Sequence, residues 1–200
     1  MNYFDQADLL LLAEAEHCQS DELILEIVQA NLGILSGVLW EIPADYQEDI
    51  DVFCRTRVIT DSLRSFMKGA QEEGHDLHGM LDVIRLAYAG GVPTICIDSS
   101  KTCTDEYKTR SRDGRYFLRG ESRDHDMAMN ICKSYQSSPG KYVVIVGAGH
   151  AVSHDHHRTG RPAMGWFLDR FFRNNHLKLL LKKGKASEFQ KESLSHLLAH

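Results

Sequence analysis

No apolar run in this chain approaches the ~18–20 residues that a membrane-spanning helix requires. The opening MNYFDQAD has neither the basic nor the apolar region of a secretory leader. No CxxC pair occurs. The five cysteines (Cys18, Cys54, Cys96, Cys103 and Cys132) are odd in number and widely spaced. That sets aside a disulfide framework or a cysteine-rich zinc site and leaves most of them as small core residues of a chain folded in reducing surroundings. Positive charge is not in excess: 23 Lys and Arg stand against 28 Asp and Glu, for a net charge of -5, so the basic footprint of a nucleic-acid binder is missing. There is no internal repeat and no low-complexity block. The expectations are no transmembrane segment, no nucleic-acid partner, and a location that is cytoplasmic or secreted without a cleavable signal peptide.

What is present is ordinary globular composition. With 200 residues, 42% of them hydrophobic and 26% charged, the chain suits one domain with a single sizeable core. Asp8–Ala15 (DLLLLAEA), Gly37–Pro43 (GVLWEIP), Val92–Asp98 (VPTICID) and Lys141–Gly149 (KYVVIVGAG) read as short, fully buried strands. Between them lie helical patterns. One follows Ser20, with Leu23, Ile24, Ile27, Val28 and Leu32 at helical spacing and Ser20 as its expected cap. An interrupted one runs from Asp45 to about Ala70, another ends at Gly90 and Gly91, and a fourth spans Glu121–Tyr135. Residues 99–119 are polar and read as a loop or lid. An apolar helix is expected around Ala163–Phe172, and the Leu/Lys stretch Leu177–Lys185 is expected to be a short amphipathic helix on the core. Alternating strands and helices predict an α/β domain over residues 1–200, with a mostly parallel sheet flanked by helices and a C-terminal helical extension from about 160.

In such folds the working groups gather at the carboxyl ends of the strands. Glu14 and His17 end the first strand, Glu41 the second and Asp98 the third, and His150 follows the fourth. Arg123 and Asp124 open the helix leading into the fourth strand. Seven ionisable residues from five segments should therefore share one edge. Gly147-Ala-Gly149 resembles a dinucleotide loop only in part, because Val152 stands where G-x-G-x-x-G needs its last glycine. The two glycines are better read as allowing close backbone approach beside His150.

Three motifs carry a family resemblance. A-E-A-E-H (Ala13–His17) is similar to the G-E-x-x-H of the erythromycin esterase/ChaN-like superfamily. R-D-H-D-M-A-M-N-I (Arg123–Ile131) resembles its R-D-x-x-M-A-x-N-I helix start, and V-I-V-G-A-G-H-A (Val144–Ala151) resembles its strand followed by G-x-x-H. The match spans about Asp8 to Ala151 in order. Ala13 replaces the usual glycine, Glu16 the esterases' threonine, and Gly147 the first histidine of their H-N-x-H. The superfamily is related to the TIKI/TraB group. It includes esterases, haem-binding lipoproteins, metal-dependent proteases and domains of bacterial toxins and effectors, so the resemblance implies the fold better than the substrate.

The expected chemistry is hydrolysis of an ester, amide or phosphate-type bond in a small-molecule or protein substrate. His17 would take a proton from water, with Glu14 or Glu41 orienting it. Arg123, beside Asp124, would hold a substrate anion or developing negative charge. His150 would be a second acid/base group or, with His17 and Glu41, a ligand for zinc or manganese. Asp98 and His154 are expected at the margin of the site as binding residues. A second expectation is a secreted effector or toxin-type domain acting on a host protein; a third is a haem or small-ligand binder. His154, His156 and His157 read as a solvated loop, His75 and His78 as surface residues at a helix start, and Trp40 as core.

Overall fold

The four leucines Leu9–Leu12 are completely buried, on both faces of the strand that carries them. That is possible only at the centre of a sheet covered on both sides, and it explains why the sequence there is a continuous apolar run rather than an alternation. The computed structural model describes residues 3–15, 20–72, 75, 77–99, 123–153, 155–156, 161–173, 175–182 and 185–188. His17, His154 and His157, Cys18 and Cys103, and the expected loop or lid beyond Ser99 lie outside them.

The strands are β1 (Leu9–Glu14), β2 (Leu35–Pro43), β3 (Thr94–Asp98), β4 (Lys141–Gly147), β5 (Asp155–His156), β6 (Arg161–Pro162), β7 (His176–Lys182) and β8 (Lys185–Glu188). The helices are α1 (Asp21–Asn31), α2 (Gln47–Thr56), α3 (Asp61–Glu72), α4 (His78–Ala89), α5 (Arg123–Ser137), α6 (Ala148–Ala151) and α7 (Met164–Phe172). Six strands form one sheet in the order β3-β2-β4-β1-β7-β8, and β5 and β6 form a separate antiparallel pair. All neighbours in the main sheet are parallel except β7 and β8. This is the expected α/β architecture.

Side-chain alternation splits the core into two layers. Leu10, Leu12, Val38, Trp40, Val143 and Ile145 pack with Ile24, Val28, Ile50 and Ile84 from α1, α2 and α4. Leu9, Leu11, Leu39, Ile97, Val144 and Val146 pack with Met127 and Ile131 of α5 and with Met164 and Leu168 of α7. Trp40 is core, as expected, and Cys54, Cys96 and Cys132 are buried free thiols. Burial pushes Cys96 up to about 12 and Cys132 up to about 11. His78 is exposed at the start of α4. No helix among the described residues is long and apolar enough to cross a membrane.

Two expectations are corrected. Residues 176–182 are not an amphipathic helix: β7 lies beside β1, with Leu10 opposite Leu177 and Leu12 opposite Leu179. The C-terminal part is thus not simply a helical extension, since it supplies two strands of the main sheet. The reason is Lys178. It is half-buried on the α7 face, where its ammonium meets Asp169 Oδ1 at 2.6 Å, Ser153 Oγ at 2.9 Å and the Gly165 carbonyl at 3.2 Å. A charge that looks like the polar side of a helix is instead satisfied within the packing. Asp169 also bonds His176 at 2.7 Å, and these partners hold its carboxyl below the usual range against the upward push of burial. The second correction concerns α1. Ser20 precedes the helix without making a side-chain cap.

The sheet edges are managed. Gln47 of α2 donates to the Thr94 carbonyl at 3.0 Å and accepts from the Cys96 N–H at 2.8 Å, closing the outer side of β3. Gly165 lets the start of α7 lie against the turn behind α6. A Cβ there would stand 2.1 Å from the Ala151 carbonyl oxygen and 2.6 Å from that of Val152. Backbone cannot give way as a flexible side chain can, so Gly165→Ala is expected to destabilise the fold by about 1–3 kcal/mol, the usual cost of overpacking. Thermal unfolding would show a lowered midpoint; an unchanged one would mean that α7 shifts freely.

Candidate active site

The direction in which strands are added across the sheet reverses between β1 and β4. From β1 the chain runs through α1 to β2, on one side of β4; from β4 it runs through α6 and α7 to β7, on the far side of β1. The two sets of helices lie on opposite faces, so the crevice is at the carboxyl ends of this pair. Glu14 and Gly147 are in register there.

Glu41 approaches from β2. Its pairing with β3 breaks register between Trp40 and Pro43, which brackets Glu41. Such an irregularity re-aims side chains near a strand end. Its Oε2 accepts the Gly147 N–H at 2.8 Å, while Oε1 faces Arg123 Nη2 at 2.6 Å and His150 Nε2 at 3.3 Å. Arg123, the first residue of α5, also makes a two-pronged contact with Asp98: Nε to Oδ1 at 2.8 Å and Nη2 to Oδ2 at 2.7 Å. Asp98 accepts the Ser99 N–H at 2.7 Å. Arg123 therefore ties the ends of β2 and β3 together, and its Nη1 takes no part in these contacts.

His150 sits in the single turn of α6. Its Nδ1 lies 2.7 Å from Asp124 Oδ1, which also accepts the Met164 N–H at 2.9 Å. Asp124 thus fixes the imidazole and the start of α7 at once. Burial alone would lower the His150 pKa; the Glu41 charge and the hydrogen bonds to Asp124 and Glu41 outweigh it and push it up to about 10. Burial alone would raise Glu41; the charges of His150 and Arg123 and the Gly147 N–H hold it well below the usual carboxylate range. At neutral pH the pair is imidazolium and carboxylate. A side chain with that charge donates a proton or a strong hydrogen bond; it does not accept a proton.

Of the sequence-predicted residues, Glu41, Asp98, Arg123, Asp124 and His150 form one connected network, and Glu14 is buried at the same edge. His17 and His154 lie outside the described residues. Sequence reading missed the Met164 N–H, which carries no side-chain signal, and Ser99, whose hydroxyl donates to Asp126 at 3.0 Å. The segment after Gly147 also differs from expectation: a one-turn helix follows the strand at once, and it is this turn that carries His150. As metal ligands, Glu41 and His150 do not fit. Both imidazole nitrogens and both carboxylate oxygens are committed to protein partners, and an imidazolium has no lone pair to give. Among the described residues no group of three or more histidine, cysteine or acidic side chains is arranged to hold a metal ion.

No protein-family profile matches the chain, and no curated protein sequence is significantly similar. Solved structures are similar in fold. A chain described under "Bacterial protein toxins" superposes with a TM-score of 0.58 at 17% identity, over 94% of this chain and 38% of that one. The C-terminal region of Pasteurella multocida toxin, described as having a thiol-protease-like catalytic triad, gives 0.59 at 14% identity, over 94% of this chain and 25% of that one. The type III effector HopBA1 gives 0.48 at 14% identity. This chain therefore spans well under half the length of the two toxin chains, and what it shares with them is the fold.

Proposed function

We propose that this chain is a toxin- or effector-type domain of the erythromycin esterase/ChaN-like kind, and that the cluster around His150 is a hydrolytic centre. The observation that carries the reading is His150 set between Asp124 and Glu41, with Arg123 on the same Glu41 oxygen. Arg123 and His150, held in place by Glu41, Asp98 and Asp124, are preorganised N–H donors at a strand edge, placed where charge would develop on a carbonyl or phosphoryl oxygen. His150, as imidazolium, keeps its Nδ1 contact with Asp124 and gives the Nε2 proton, whose contact with Glu41 is the longer one at 3.3 Å, to the leaving group. The base that takes the proton from water must be another group, and the candidates are Glu14, at the end of β1, and His17, three residues further along the sequence. Water then attacks the ester, amide or phosphate centre, the bond to the leaving group breaks, and the proton from His150 completes the departing alcohol or amine. The fold shared with the two toxin chains favours a host protein as substrate. His150 does not suit an axial haem ligand, which needs an uncommitted imidazole nitrogen.

The test is hydrolysis of an ester, peptide and phosphoester panel by wild type, His150→Gln and His17→Ala. Turnover by His150→Gln is expected to fall about a hundredfold or more, the usual worth of a positioned acid. The wild-type rate should hold through neutrality and decline only toward pH 10. Undiminished turnover in a folded His150→Gln variant would end the hydrolytic reading; host-partner effects retained in both variants would make the domain an interaction module.

A further inference from the structure

A groove of about 530 Å³ opens between the end of α2 and the start of α4, and none of the residues discussed above as site residues lines it. Its floor is apolar: Phe53, Ile59 and Leu81. Its rim is basic: Arg57, His78 and Arg85, against one carboxylate, Asp82. Asp82 pairs with Arg85 at 3.0 Å across one helical turn, with both side chains more than half exposed. Such a pair is weak and easily exchanged. The groove continues into a smaller hollow of about 170 Å³ that shares Ile59 and His78 and adds Arg64 and Lys68.

Arg57 is the unusual member. It ends α2 at φ 66°, in the left-handed region, where its N–H bonds the Phe53 carbonyl at 2.9 Å. Glycine takes this position without strain and other residues rarely do. Its guanidinium is exposed and makes no hydrogen bond or ion pair with a described residue. Backbone strain that places an unengaged cation over a groove is a pointer to function.

We infer that the groove between α2 and α4 binds an anionic amphiphile, its apolar body on Phe53, Ile59 and Leu81 and its phosphate or carboxylate held by Arg57 with Arg85 and His78 beside it. The volume is that of a small-molecule site. Apolar floor and basic rim together select a ligand that has both parts: a bare anion leaves the floor wet, and a neutral chain leaves the Arg57 guanidinium unengaged. Phe53 and Leu81 are only 4% and 6% exposed and Ile59 is half-buried, so the apolar contact on offer is narrow and centred on Ile59, which suits one short chain rather than a flat bilayer surface.

The experiment is calorimetric titration of the full chain with decyl phosphate below its micellar concentration, beside decanol, inorganic phosphate and phosphatidylglycerol vesicles. Decyl phosphate should saturate one site and bind more tightly than decanol or phosphate. Arg57→Gly should weaken it about tenfold or more, as loss of a charge-assisted contact does. Because glycine suits the backbone there, its thermal midpoint should not fall, and Arg57→Asn should repeat the loss. Equal affinity in both variants would overturn the assignment. So would inorganic phosphate or decanol binding as tightly as decyl phosphate, or binding to vesicles alone.

Discussion

Glu41→Ala is expected to cost about 3–5 kcal/mol of folding stability, the usual price of removing one partner from a buried ion pair. Three groups converge on this carboxylate: Arg123, His150 and the Gly147 N–H. Alanine leaves two cations at a largely buried edge and one backbone donor without its acceptor. It also removes the ties from β2 to α5 and α6. Domains of this size are stable by about 5–15 kcal/mol, so the loss is a large fraction of the total. Urea denaturation at pH 6 measures it. Glu41→Gln keeps an acceptor for Gly147 and should lose less. The double variant Glu41→Ala/His150→Gln should cost less than the sum of the single changes, because the second removes a cation that the first left unpaired. A Glu41→Ala loss below about 1 kcal/mol would show that the cluster contributes little to the fold.

The edge that carries this network was legible in the sequence for a simple reason. The strands β1 to β4 are largely buried on both faces, so their apolar runs are nearly continuous; Glu14 and Asp98 are the last residues of β1 and β3, and Glu41 stands two residues before the end of β2. Once the strands are parallel, those ends must coincide. Arg123 and Asp124 follow from the helix that returns to β4, where an acidic first turn also complements the helix dipole. What the one-dimensional pattern does not carry is which partner each group takes. That Asp98 grips Arg123 with two oxygens and that Asp124 serves both His150 and the Met164 N–H depend on how α5 and α7 cross.

β7 was illegible for a different reason. His176-Leu-Lys-Leu-Leu-Leu-Lys carries a polar residue at each end and one internal lysine on an apolar stretch, a pattern that suits a short amphipathic helix as well as a strand. Only the distant Asp169, Ser153 and Gly165 carbonyl make Lys178 tolerable inside the sheet layer, and periodicity does not register partners that come from other elements. Likewise Ser20 has the right identity for a cap but not the contact. Its hydroxyl is buried without a hydrogen-bond partner among the described residues, so composition at a helix start did not fix capping geometry.

Stability should be greatest between about pH 4.5 and 6.5 and fall steadily on the alkaline side, well before any cysteine ionises. The sign follows from the two partners. His150 is raised from 6.5 to about 10 in the fold, so the stabilisation it gains is fully present below its unfolded value and is lost as pH rises through about 10. Glu41 is held well below its ordinary 4.5; its contribution is present above that value and is lost as pH falls through the folded one. Both describe one interaction from opposite sides, so they are not added. The alkaline loss for this pair should be of the order of a few kcal/mol, large beside ordinary surface charges. Buried Cys96 and Cys132 also destabilise the fold at high pH, because their thiols ionise more readily once unfolded, but that begins only near 9. The interval from pH 6.5 to 9 therefore isolates His150. Denaturation midpoints of wild type should drop across it, while His150→Gln starts lower and stays nearly level. Parallel slopes for the two proteins would mean that His150 is not held as an imidazolium, and the proton-donor role would fall with it.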